Sequence, residues 1–183
     1  YWAAHFARDD PRAGARKARE AFEAKLAANP ALYGPVRVGT LGSGPRFADL
    51  NPTGGADRVL TFRNVHNWLA AGHLDATLQA CFAALKPGGV LGVVEHRAAP
   101  GTPIERMKDS GYIPEAFMIE RAQAAGFELA ERSEVNANPR DTRDHAKGVW
   151  ALPPTLAGGE VAREKYLAIG ESDRFTHRYR KPG

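Results

Sequence analysis

His66, Glu95 and His96 are the residues of this chain whose types and spacing best suit chemistry. A histidine titrates near neutral pH and can take a proton from a hydroxyl or an amine. A carboxylate beside it can hold the ring and decide which nitrogen carries the proton. Two histidines and a carboxylate are also a donor set for a divalent metal. The sequence leaves His66 two readings, a general base or a histidine that caps or packs a helix. Around it stand Arg63, Asn64, Val65, Asn67 and Trp68, a polar and aromatic turn in which Trp68 reads as core.

The elements that must position these residues form one unit. Asp57–Phe62 is a short β-favouring run punctuated upstream by Gly54 and Gly55, and it reads as a buried strand. Beyond the turn at Arg63–Trp68, Leu74, Leu78, Cys81, Phe82 and Leu85 mark one apolar face of a helix. Lys86-Pro87-Gly88-Gly89 stops that helix, because proline cannot continue it and glycine tolerates the left-handed turn. Val90–Val94 is then a continuous apolar strand that ends on Glu95-His96. Strand, crossover helix and strand make a βαβ unit, the pattern of a parallel sheet buried on both faces. Leu60, Phe62, Leu78, Phe82, Leu85, Leu91 and Val93 are expected to be buried together. Ligands of such sheets sit beyond the carboxyl ends of the strands, where both polar sets lie.

The remaining elements follow in order. Trp2–Phe6 and Val36–Leu41 read as strands flanking a helix that starts at Asp9-Asp10-Pro11 and turns Ala15, Ala18, Phe22 and Leu26 inward. Gly42–Gly55 is a loop. Its Gly42-Ser43-Gly44 is not a nucleotide loop, since neither a helix pattern nor Gly-Lys-Ser/Thr follows. A polar loop runs from Glu95 to Gly111, and a helix starts at Ile113-Pro114-Glu115 and stops at Gly126. Phe127–Val135 and Phe175–Tyr179 alternate as strands. Between them Asn136–Asp173 is an insertion with two short helices, around 144–150 and 160–169. It leaves the carboxyl end of a parallel strand, which puts Asn136, Asn138, Arg143 and His145 on the ligand side as candidates for substrate contact. A lid that only packs is the alternative reading of the same segment.

At 183 residues and 43% hydrophobic, the chain is expected to be one domain with a full-sized core. No apolar run is long enough to span a bilayer, and the single Cys81 excludes an internal disulfide. The net charge of +4 is spread out except at Arg174, Arg178, Arg180 and Lys181, which reads as a solvated strand face. The expected partner is a small molecule, not nucleic acid or membrane, and the sequence does not specify an oligomeric state.

The Asp57-x-Val59 strand, the Asn64–His66 turn, the helix closed by Leu85-Lys86-Pro87-Gly88-Gly89 and the strand ending in Glu95 together resemble class I S-adenosylmethionine-dependent methyltransferases. The likeness extends to element order over the whole chain, and within the superfamily it is greatest to a bacterial group of predicted methyltransferases. It implies a doubly wound α/β fold with a mostly parallel sheet and an antiparallel last strand, Phe175–Tyr179 paired with Phe127–Val135. It implies S-adenosylmethionine as cofactor and methyl transfer to a small acceptor, and it places the family's first strand and glycine-rich loop ahead of Tyr1. Carried onto this sequence, the cofactor positions are His5, Thr40, Leu41, Gly42, Arg63, Asn64 and Val65; their place at one sheet edge makes His66, Glu95 and His96 the catalytic candidates, with Asn67 at the substrate and no metal expected. At the ribose position the family's usual acid is His5 here, with Asp9 a few residues on. Two alternatives stand beside this reading: a catalytically silent binding domain of the same fold, and a nicotinamide-dependent oxidoreductase, against which the antiparallel last strand argues. The expected location is the cytoplasm; an export signal ahead of residue 1, which some of the bacterial group carry, would make it periplasmic.

Overall fold

Six strands and seven α-helices are found among the described residues of the computed structural model, which are 1–41 and 54–183. They fall into two compact units, Tyr1–Gly55 and Ala56–Gly183. In the first, β1 (Trp2–His5) pairs in parallel with β2 (Arg37–Thr40), and α1 (Ala13–Ala28) and α2 (Pro30–Tyr33) connect them. Only Ala15 and Arg19 of α1 are buried, and Ala18, expected inside, is exposed. Arg19 takes the inner position because its guanidinium has carbonyls to bond: Nη1 donates to Phe6 O at 2.9 Å. Asp9-Asp10 does not cap α1. Arg12 stands at the N-cap, and Asp10 instead accepts from the Arg12 backbone N–H and side chain.

The second unit holds a four-stranded sheet in the order β3-β4-β6-β5, with β3 Ala56–Phe62, β4 Leu85–His96, β5 Glu128–Ser133 and β6 Arg174–Arg180. β3 and β4 are parallel, and β6 runs antiparallel to both β4 and β5. The antiparallel last strand and its pairing with β5 are as the resemblance implied. The remaining helices are α3 (Val65–Ala70), α4 (Leu74–Ala84), α5 (Ile104–Ser110), α6 (Glu115–Ala124) and α7 (Arg163–Ile169), with a 3-10 turn at Gly148–Ala151. The expected turn at 63–68 is mostly α3, and the expected loop before Gly111 contains α5. α4 ends at Ala84 and β4 begins at Leu85, so Lys86-Pro87-Gly88-Gly89 follows the helix end as expected but lies inside the strand's span, with Gly88 at φ 73°.

One sheet face is closed. Leu91, Val93 and Glu95 of β4 lie opposite Tyr179, His177 and Phe175 of β6, and all six are essentially sealed from solvent. The His177 ring bonds Glu115 of α6 at 2.9 Å, which locks that helix over this face. Phe82 of α4 is only half-buried, edge-on to Phe127 with the Lys181 ammonium over its ring. The other face contradicts expectation: Leu60 is 60% exposed and Phe62 57% exposed. Alternation along β3 assigns these two residues to one face, but among the described residues nothing seals it.

Candidate active site

The chain leaves β3 through Arg63, whose φ of 55° turns it sharply into α3. That region is unfavourable for a residue with a side chain, and it persists where the surroundings hold it. Here Arg63 N donates to Val94 O at 2.8 Å. The first turn of α3 is then anchored from the neighbouring strand. Asn64, at the N-cap, makes no side-chain cap; instead Glu95 Oε2 accepts from His66 N at 3.2 Å. Glu95 Oε1 is 2.9 Å from His66 Nδ1 and also accepts from His96 N at 2.9 Å. Glu95 is wholly buried, and a buried carboxylate is tolerable only with such a set of donors.

This geometry fixes the His66 ring. A carboxylate oxygen only accepts, so in the neutral ring Nδ1 carries the hydrogen and Nε2 keeps a lone pair. Nε2 bonds no described residue. The ring lies 5.3 Å from that of His96 and 5.9 Å from Trp150, centroid to centroid. His96 Nδ1 is 2.5 Å from Ser172 Oγ, and that oxygen also accepts from Arg174 Nε at 3.2 Å. Burial above all, with His66, Arg174 and Arg63 adding, pushes His96 down to about 3, so it is neutral at pH 7.

Donor atoms of His66, Glu95 and His96 all lie within 4.8 Å of one another, close enough to suggest a divalent metal. A metal on Glu95 would have to displace the His66 Nδ1 hydrogen from Oε1, because that oxygen already accepts two hydrogen bonds. For polar groups of a cofactor or an acceptor, Arg63, Asn64 and Asn67 are better placed. All three are exposed beyond the end of β3, and their side chains bond no described residue. Val65 is fully buried and supplies packing. In the first unit, His5 and Thr40 are register partners at the carboxyl ends of β1 and β2. The His5 ring stacks on Phe22 and its Nδ1 accepts from Phe6 N, while Leu41 N donates to His5 O. Gly42 lies outside the described residues.

The side chains proposed for substrate contact in 136–173 bond within the chain. Asn136 Nδ2 donates to Thr176 Oγ1 at 2.7 Å, and Asn138 Nδ2 to the carbonyls of Ile169 and Glu171. Arg143 pairs with Asp173 at 3.3 Å. His145 is 3% exposed, bonded to Asp141 at 2.8 Å and edge-on to Tyr166. Asp141 is the centre that sequence reasoning missed. It accepts from the Tyr112 hydroxyl, the His145 ring and the backbone N–H groups of Arg143 and Asp173. Burial and the Asp141 carboxylate hold the Tyr112 hydroxyl well above its ordinary pKa. The only hint in sequence was Asp141 four residues before His145, and no helix forms there to give that spacing meaning.

No family model matches the sequence, and no curated protein matches it. Solved structures do. An O-methyltransferase family protein from Burkholderia thailandensis superposes over 100% of this chain and 43% of its own, with a TM-score of 0.55 and 15% identity. The S-adenosylmethionine-dependent methyltransferase SibL gives 100%, 43%, 0.51 and 15%. The fold is that of the class I methyltransferases. The [4+2]-cyclase SpnF shares it too, at 19% identity and a TM-score of 0.54 over 88% of this chain and 62% of its own. The chain thus spans less than two thirds of these proteins. Identities this low speak for the class I fold alone, and function must be argued from the site.

Proposed function

We propose that this chain is part of an S-adenosylmethionine-dependent methyltransferase acting on a hydroxyl or amine of a small molecule, with His66 as general base. The supporting observation is the Glu95–His66 pair. Glu95 grips both the backbone and the ring of His66, and it leaves the basic nitrogen free. S-adenosylmethionine, when bound, supplies a methyl group on a sulfonium, and the chain's task is to align the acceptor and take its proton. His66 Nε2 takes the proton. Glu95 stabilises the charge that then appears on the ring, as a buried carboxylate does for an imidazolium. Arg63 and Asn64 would meet polar groups of the cofactor, and Asn67 the acceptor. The proposed location is the cytoplasm; no described helix is long and apolar enough to cross a membrane.

The test is twofold. Calorimetry with S-adenosylhomocysteine should register binding, and transfer of a labelled methyl group should be detectable across a panel of phenols and amines. His66→Asn should then lower turnover by about 10²–10⁴ while cofactor affinity stays nearly constant. Unchanged turnover would remove His66 as base, and no heat at millimolar ligand would remove the cofactor.

A further inference from the structure

We propose that the acceptor site is built for a molecule with two neighbouring oxygens, a hydroxyl that gives up its proton beside a second oxygen that only accepts a hydrogen bond, as in a catechol. The proposal rests on His66 being the base, and it adds a specificity-determining residue, His96.

The argument is one of tautomers. Glu95 forces the His66 hydrogen onto Nδ1, so Nε2 of that ring is an acceptor. For His96 the deciding partner is Ser172. The Arg174 guanidinium can only donate, so Ser172 Oγ accepts from it. The Ser172 hydroxyl hydrogen is then left to satisfy His96 Nδ1, 2.5 Å away. Were Nδ1 the donor instead, the hydroxyl of Ser172, 4% exposed, would lose its only acceptor among the described residues. A buried donor without a partner is costly. His96 therefore carries its hydrogen on Nε2, the opposite tautomer to His66.

Among the described residues that second hydrogen is unspent. Glu95 Oε1 lies 4.0 Å from His96 Nε2, too far for a hydrogen bond. The two rings, with centroids 5.3 Å apart and planes tilted by 50°, thus carry one acceptor and one donor on neighbouring side chains. A lone hydroxyl satisfies only His66. A hydroxyl with an oxygen on the next carbon satisfies both rings. Arg63 and Arg174 bring positive charge towards His96, which favours an electron-rich second oxygen. Trp150 packs T-shaped against His66 at 5.9 Å and Tyr112 against His96 at 6.2 Å, so the surroundings of both rings are aromatic.

Side-chain nitrogen NMR of the protein at pH 7 reads both tautomers directly. His66 should appear as the Nδ1–H form and His96 as the Nε2–H form. Ser172→Ala, a small truncation, should release His96 to a tautomer mixture without altering His66. Catechol should bind roughly 10- to 100-fold more tightly than phenol, the ratio expected for leaving one desolvated donor unpaired. His96→Phe should reduce that ratio to about one. If His96 proves to be Nδ1–H, or if catechol and phenol bind alike while His66 is Nδ1–H, this proposal falls and the base survives. If His66 is itself Nε2–H, both fall. Zinc that displaces catechol and shifts both rings together would overturn it in favour of a metal centre.

Discussion

Among single residues, His96 stands out as a neutral imidazole inside the protein. Its ordinary pKa is 6.5 and burial holds it at about 3. Between those values the unfolded chain binds a proton that the folded chain refuses. Its contribution is therefore fully present above about pH 6.5 and is lost as pH falls towards 3. Each pH unit in that window costs about 1.4 kcal/mol for one such group. His177 is lowered in the same direction, by burial, although Glu115 opposes the shift. Urea titrations at pH 7, 5.5 and 4.5 should thus show steep acid destabilisation, and His96→Gln should make it shallower. Parallel slopes for the two proteins would contradict a neutral buried His96. The residue scale is also where sequence reading reaches its limit. His66, Glu95 and His96 could be named because a parallel sheet sends its strand ends to one edge. Asp141 could not, because its four donors come from residues 112, 143, 145 and 173, which no local pattern joins.

Among the elements, the junction of α5 with the 3-10 turn is the least tolerant of change. Gly148 sits at φ +56°, and a Cβ there would lie 2.2 Å from Ser110 O at the end of α5. Gly148→Ala should cost about 2–4 kcal/mol, combining backbone strain with a backbone clash that no rotamer relieves. Gly101→Ala shares the positive φ but meets nothing within 4 Å, so it should cost about 1 kcal/mol. The difference between the two in denaturant midpoint isolates the contact. This junction was invisible beforehand. Ile104–Ser110 is seven residues long, follows Pro100 and Pro103, and carries more charge than apolar character, so it reads as loop. The strands were legible to within a few residues at either end except β4, which starts at Leu85, well before the expected Val90. What alternation cannot say is which of its two faces will be covered. Leu60 and Phe62 were therefore assigned to the core when only their common side was knowable.

On the scale of the whole molecule, Asp141 ties Tyr112, the start of the 136–173 segment and the entry to β6 into one buried network. β3 is the opposite case. Among the described residues its outer edge pairs with no strand, and Leu60 and Phe62 stand exposed beside it. The net charge of +4 gives weak repulsion between copies, and it acts over the whole surface. An open edge with two apolar side chains is a local attraction that such repulsion does not oppose. Light scattering from the protein should therefore rise faster than linearly with concentration. Phe62→Lys should restore linearity at almost no cost in stability, since the ring it removes was already wet. Equal scattering from the two proteins would clear the edge of blame. The colloidal behaviour of the chain is then set by a seven-residue strand, Ala56–Phe62, long before its overall charge has any say.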